Sequence, residues 1–222
     1  MKTAIVTGAS KGVGYATVKL LSENGYKVIA VSRDLSKVSN LVSENVETYQ
    51  LDITNQNQIK TFFEKYKDIT LDLLVNNAGG GAGPTSIINE TMDNFRMAYD
   101  INVSGPMYLS QLFVTCMQRS SSATIIFVTS IGGNVPYPGG GNYTNAKRGE
   151  IGLIETMRLE FPTYNIKITE ICPGTIDTQV DKKNDALTAE DLAQSILWVS
   201  SLPSHFNVNS INVSHINNSR FR

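Results

Sequence analysis

TAIVTGASKGVG, residues 3–14, decides the fold. Its first half, Thr3–Thr7, is a short run rich in β-branched residues, the composition of a buried strand. Its second half carries Gly8, Gly12 and Gly14 in a turn that opens onto a helix-like stretch reaching about residue 24. Glycine permits the tight turn and lets backbone approach a ligand closely. A helix N-terminus offers unpaired N–H groups and a partial positive charge. Glycines also make ordinary turns, but strand, glycine turn and helix in this order form a phosphate-binding unit. Gly8, Ser10, Lys11, Gly12, Val13 and Gly14 are therefore read as cofactor-binding, with a pyrophosphate on the helix N-terminus.

The same alternation continues down the chain. Strand-like runs stand at Thr3–Thr7, Lys27–Val31, Glu47–Leu51, Leu71–Val75, Thr124–Thr129, Ile166–Ile171 and Val208–Val213. Between them, helices are expected at about 12–24, 34–43, 55–66, 91–118, 143–161 and 188–201. Runs such as TIIFV at 124–128 are continuously apolar, as strands covered on both faces must be. The expectation is an α/β fold: one domain, 1–222, with a doubly wound, seven-stranded, mostly parallel sheet and helices on both faces. No repeat, low-complexity linker or break in composition divides it.

Composition narrows the function classes. The 222 residues are 41% apolar and 18% charged with a net charge of −1, which fits a packed core and gives no basic excess for nucleic acid. No apolar run approaches the ~20 residues of a membrane helix, and MKTAIVTGAS at the start is too glycine-rich for a signal-peptide core. Cys116 and Cys172 lack metal-ligand spacing, and with only two histidines no metal site is expected. Both cysteines read as buried free thiols of a soluble, cytoplasmic protein.

In such a sheet, ligands bind beyond the carboxyl ends of the strands. After the second strand come Ser32 and Arg33, with Asp34 only third. A carboxylate directly after this strand would suit the ribose 2′-hydroxyl of NAD. A guanidinium suits a 2′-phosphate through charge-assisted bonds. With Lys11 in the glycine turn, the pattern favours NADP(H) over NAD(H). Asp52, with Ile53 beside it, is placed where a carboxylate accepts from the adenine amino group; equally, this segment prepares the next helix, with Thr54 or Asn55 as its cap. Asn77, Ala78 and Gly79, in NNAG after the fourth strand, let ribose approach the backbone, although Asn and Gly also make plain turns.

Tyr143 and Lys147 stand four residues apart in GNYTNAKRGEIGL, on one face of a helix. An ammonium beside a phenol favours the phenolate and makes the tyrosine a usable proton donor and acceptor near neutral pH. Each of these residues also has an ordinary structural reading. Ser130 can end a strand, Asn102 can lie on a helix surface, Tyr143 can be buried with a satisfied hydroxyl, and Lys147 can be solvated.

Taken together, TGxxxGxG at Thr7–Gly14, NNAG at Asn76–Gly79, Ser130, Tyr143-x-x-x-Lys147 and Pro173-Gly174 resemble the short-chain dehydrogenases/reductases, over nearly the whole chain and in the family's order. The resemblance implies a Rossmann fold, a nicotinamide cofactor and hydride transfer between a carbonyl and an alcohol. It implies Asn102, Ser130, Tyr143 and Lys147 as a catalytic tetrad, with Tyr143 as general acid in reduction and Lys147 also bonding cofactor ribose. Asn102 would hold a water, in a helix that Gly105-Pro106 should disturb. Pro173, Gly174, Ile176 and Thr178 would flank the nicotinamide.

The substrate is left as a small carbonyl or alcohol. The segment 175–187 is short and polar and reads as an open lid. Gly132–Gly141 forms a partly apolar wall without charge. A specific alternative is a 3-oxoacyl carrier-protein reductase, with Arg119 and Arg148 meeting an acidic partner. Another is a non-catalytic NADP-binding sensor. Leu109, Phe113, Leu153 and Met157 are read as outward apolar residues of the long helices, which in the family pair subunits into homodimers or homotetramers.

Overall fold

A computed structural model of the chain describes residues 1–176 and 186–217. Seven strands, β1 (Lys2–Thr7), β2 (Tyr26–Ser32), β3 (Val46–Gln50), β4 (Leu73–Asn76), β5 (Ala123–Val128), β6 (Ile166–Pro173) and β7 (Ser210–Val213), form one sheet. Its order is β3-β2-β1-β4-β5-β6-β7, and every neighbouring pair is parallel. The expected "mostly parallel" sheet is thus parallel throughout the described residues. The order reverses between β1 and β4, and the carboxyl ends of the strands open a crevice there.

Helices cover both faces. α2 (Gln56–Tyr66), α4 (Gly105–Met117) and α6 (Gly141–Glu160) lie on one side. Their Phe62, Leu109, Phe113, Ile154 and Met157 pack with Ile5, Ile125 and Ile168. On the other side, α1 (Gly12–Glu23) and α7 (Ala189–Ser201) bury Val18, Leu21, Leu192 and Ile196 against Ala4, Val6 and Val28. Successive β1 residues therefore enter opposite cores, which is why Thr3–Thr7 reads as continuously apolar rather than alternating. The starts of α2 and α7 are capped locally. Asn55 accepts from the N–H groups of Asn57 and Gln58 ahead of α2, and Thr188 and Asp191 form a capping box on α7.

Three expectations need correction. Residues 34–43 form no α-helix but two single 3₁₀ turns, Leu35–Lys37 and Ser39–Leu41. Asp34 and its neighbouring serines bond the local backbone, which competes with helix formation. The expected 91–118 helix is disturbed next to Gly105-Pro106, as anticipated, but so far that it is divided into α3 (Met92–Tyr99), a π-helical turn (Asp100–Ser104) and α4. Pro106 has no N–H to return to the carbonyl of Asn102, four residues earlier, and the helix widens there. Leu109, Phe113 and Met157 are not outward at all; they are core residues, because the single apolar face of each helix is spent on the sheet. Leu153 is half-buried against that core.

The glycine turn is closed by its own shape. Gly8 and Gly12 have φ of 69° and 54°, in the left-handed region. A Cβ on Gly14 would lie 2.3 Å from the Gly8 carbonyl oxygen. Gly14→Ala must therefore push the turn off α1, and thermal denaturation is expected to show a loss of about 1–3 kcal/mol. An unchanged Tm would contradict this packing.

Candidate active site

The strand ends enclose a cleft of about 550 Å³. Into it the fold brings Gly8, Ser10, Lys11, Gly12 and Val13 from the turn after β1. Ser32 and Arg33 enter after β2 and Ile53 after β3; Asn77, Ala78 and Gly79 follow β4. Ser130, Tyr143 and Lys147 form the other half, with Pro173, Gly174 and Ile176 after β6. Three sequence-derived residues do not line it. Gly14 lies beneath the turn, Asp52 beside it and Asn102 behind it. Thr178 falls outside the described residues, as does most of the 175–187 segment, although the Leu187 N–H donates to the Thr175 carbonyl at 3.0 Å.

One end of the cleft is built for an anion. No side chain caps α1, whose N-cap is Lys11, so its first-turn N–H groups face the cleft without a side-chain acceptor. Lys11 and Arg33 stand exposed at the rim. Asp34 also reaches the rim, but its carboxylate is committed: Oδ1 accepts from the Ser36 N–H and hydroxyl at 3.1 and 2.6 Å, and Oδ2 lies 3.7 Å from Lys37. Lys37 is a third rim cation that the sequence reading passed over, because it was assigned to a helix. Asp52 is likewise committed, accepting from the Thr54 N–H and hydroxyl at 3.0 and 2.8 Å and so shaping the turn into α2.

The other end gathers the proton-bearing groups. Ser130 caps α5 (Ile131–Asn134), its hydroxyl accepting from the Gly132 N–H at 3.1 Å; the O–H is left to donate. A Cβ on Gly132 would sit 3.2 Å from the Tyr143 ring and 3.4 Å from the Ser130 oxygen, so that wall lies close against both. Asn102 is buried in the π-helical turn. Its Nδ2 donates to the carbonyls of Gly80 and Ala98 at 2.6 Å each, and its Oδ1 accepts from the Gly80 N–H at 3.2 Å. The amide therefore ties the loop after β4 to α3 and α4.

Lys147 is only 3% exposed and is not the solvated residue of the ordinary reading. Its Nζ donates to the Val128 carbonyl at 3.1 Å and to Glu150 Oε2 at 2.7 Å. Glu150 itself is 1% exposed. The sequence reading missed it, although its place one helical step beyond Lys147 on the Tyr143 stripe was visible. Burial pushes the Glu150 carboxyl up to about 7 against the pull of Lys147, with Glu170 adding to the rise. Burial works against the Lys147 charge, but Glu150 and Tyr143 outweigh it and hold the ammonium above its ordinary range. Burial likewise raises the nearby Cys172 thiol.

A carboxyl whose folded pKa is raised from 4.5 stabilises the fold fully below that value, and the contribution is lost as pH rises to about 7. Wild type is therefore expected to lose stability relative to the neutral isostere Glu150→Gln between pH 4.5 and 7. The change is on the order of 3 kcal/mol, read by denaturant unfolding at a series of pH values. A pH-independent difference would refute the assignment.

The model of the short chain dehydrogenase family matches residues 2–188. A curated relative from Staphylococcus aureus (strain N315), named only as an uncharacterized oxidoreductase, is 29% identical over 225 residues, 96% of each chain. The NADP-dependent 3-hydroxy acid dehydrogenase of Salmonella typhi is 29% identical over 238 residues, covering 97% of this chain and 95% of that one. Among solved structures, the serine dehydrogenase of Escherichia coli superposes with a TM-score of 0.87 at 27% identity, covering 98% and 99% of the two chains.

Proposed function

The chain belongs to the short-chain dehydrogenase family of oxidoreductases, and from that premise we propose that it is an NADP(H)-dependent enzyme that reduces a ketone or aldehyde to an alcohol. The observation that carries the proposal is the buried ammonium of Lys147, held in the cleft floor on the same helix stripe as Tyr143, with the Ser130 hydroxyl in the same cleft.

The residues present fit a dinucleotide. The uncapped start of α1 suits a pyrophosphate. Lys11 and Arg33, with Lys37, suit a 2′-phosphate, while Asp34 is occupied with its own turn. A Cβ on Gly79 would lie 2.7 Å from Asn102 Oδ1 and 3.1 Å from Lys147 Nζ, so glycine here keeps the space beside that ammonium open for the proposed ribose. When bound, the nicotinamide supplies or takes the hydride; Pro173, Gly174, Ile176 and Thr178 are proposed to flank it.

In reduction, Ser130 donates to the carbonyl oxygen, where negative charge develops. Tyr143 gives that oxygen its proton as the carbon is reduced, and takes it back in oxidation. Lys147 favours the phenolate and offers its remaining N–H to the ribose. Asn102 is proposed to supply water to Lys147 through its carbonyl, the one Pro106 cannot bond.

The Salmonella relative's name makes 3-hydroxy acids and their 3-oxo counterparts the first substrates to try. The carrier-protein alternative weakens at Arg119. That guanidinium donates to the carbonyls of Lys67 and Ile69, just before β4, at the edge of the sheet opposite the cleft. A sensor that only bound nucleotide would not need a buried lysine beside Tyr143. A homo-oligomer is retained as a proposal on different residues: Met92, Met97 and Tyr99 of α3, Met107 of α4 and Leu159 of α6 are exposed. Cytoplasmic residence is proposed from the two buried free thiols. Among the described residues no helix is long and apolar enough to cross a membrane.

Two measurements test this reading. Tyr143→Phe is expected to keep NADPH binding, read as a thermal shift, and to lose about 10²–10⁴-fold in kcat over a panel of carbonyls; near-normal turnover would sink the role. Arg33→Ala is expected to weaken NADPH about 10–100-fold, the worth of a charge-assisted bond, and to leave NADH unchanged. Equal losses for both cofactors would remove Arg33 from the 2′-phosphate.

A further inference from the structure

We propose that Glu150 is a positioning residue for the Tyr143–Lys147 pair: its carboxylate anchors the ammonium in the cleft floor and, through its charge, sets the pH at which the pair gives up a proton. This rests on the oxidoreductase reading above and adds a residue to it.

The geometry comes first. Tyr143, Lys147, Glu150 and Ile154 follow one another at helical spacing along the buried stripe of α6. Ile154 shows what helix packing alone asks of this stripe, an apolar side chain. A carboxylate one step earlier serves something else. An ammonium has three donors. Among the described residues, Glu150 Oε2 and the Val128 carbonyl take two, from the helix and from the end of β5. One is left for the cleft that Lys147 lines. Two fixed acceptors hold a long flexible side chain at one height, which a single acceptor would not do.

The surroundings assign the charge to Lys147. From β6, Glu170 and Cys172 face this cluster. Glu170 is already engaged: its Oε1 accepts from Thr129 at 2.8 Å, and its Oε2 accepts from Ser210 at 3.1 Å and lies 3.8 Å from Arg158 of α6. The other polar neighbours, the Val128 carbonyl and the Asn102 amide, are neutral. Glu150 is thus the carboxylate paired with Lys147. Buried ion pairs seldom repay their desolvation as stability, and the rise of the Glu150 carboxyl has the same sense. The pair is kept for placement of charge.

Removing a negative charge lowers the proton affinity of every group beside it. Glu150 and Tyr143 both act on the Lys147 ammonium, so without Glu150 the first proton to leave this pair is expected to leave at lower pH. The test compares wild type with Glu150→Gln and Glu150→Asp. Two quantities are followed against pH: kcat/KM for alcohol oxidation, and phenolate absorbance of each protein minus its Tyr143→Phe counterpart, which needs no turnover. In Glu150→Gln the rising limb and the phenolate inflection are both expected to move toward acid by about one unit or more. Glu150→Asp keeps the charge but withdraws it by one methylene; it is expected to stay near the wild-type pH with a lower kcat. A Gln variant that is merely less stable, with limb and inflection unmoved, overturns the proposal. So does an Asp variant shifted as far as Gln, which also decides the matter if the Gln protein fails to fold. If wild type oxidises and reduces nothing in the panel, the functional reading fails, and the absorbance titration still judges Glu150.

Discussion

The hydroxyl of Thr7 joins the two halves of this protein. It donates to the Val75 carbonyl at 3.2 Å and accepts from the N–H groups of Asn77 and Ala78 at 3.1 and 3.0 Å. Asn77 returns the contact, its side chain donating to the carbonyls of Thr7 and Gly8 at 2.9 and 3.3 Å. These bonds tie the end of β1 to the end of β4, where the strand order reverses and the sheet would otherwise splay. The end of the cleft proposed for phosphate hangs from β1 and the loop beneath Lys147 hangs from β4. A shift at this clasp would move one end relative to the other, and hydride transfer tolerates little misplacement.

From the clasp outward, the site is held by close approaches at glycines. Gly14 takes the Gly8 carbonyl, Gly79 takes Lys147 and Asn102, and Gly132 takes Tyr143 and Ser130. Asn102 then fastens Gly80 from behind with bonds in both directions. The chemistry-bearing groups sit on stiff elements, the Ser130 cap and the α6 helix, and the glycines let those elements meet. This division of labour keeps the geometry in the scaffold rather than in mobile side chains.

Much of this was legible in the sequence, for physical reasons that also mark the limit. Strands buried on two faces must be continuously apolar, so TIIFV and TAIVT declared a parallel sheet. The glycine turn had one plausible place, before α1. What escaped depends on contacts between distant residues. The 34–43 segment has helical length, yet its serines and Asp34 bond the local backbone and leave two 3₁₀ turns, which is how Lys37 reached the cleft rim unnoticed. Leu109, Phe113 and Met157 were assigned outward because a long apolar stripe can serve a sheet or a second subunit, and sequence does not say which. Glu150 escapes the sequence pattern because its partner and its burial appear only once α6 lies on β5 and β6.

Lys147 and the rim cations show why that last miss matters. Lys11, Arg33 and Lys37 are solvent-exposed, so water and salt screen them and no fixed counter-ion is required. They suit the proposed phosphate, held and released as ionic conditions change. Lys147 has left water, and there its charge acts at full strength on whatever lies within a few ångströms, the phenol included. An unpaired ammonium at that depth would tend to shed its proton instead of lending its charge to Tyr143. Burial makes the lysine electrostatically useful and also unstable in its charged form. A buried carboxylate at hydrogen-bond distance resolves that conflict: it keeps Lys147 protonated, at the cost of weakening its field. The strength of the lysine proposed for catalysis is therefore a compromise between two residues on one turn of α6.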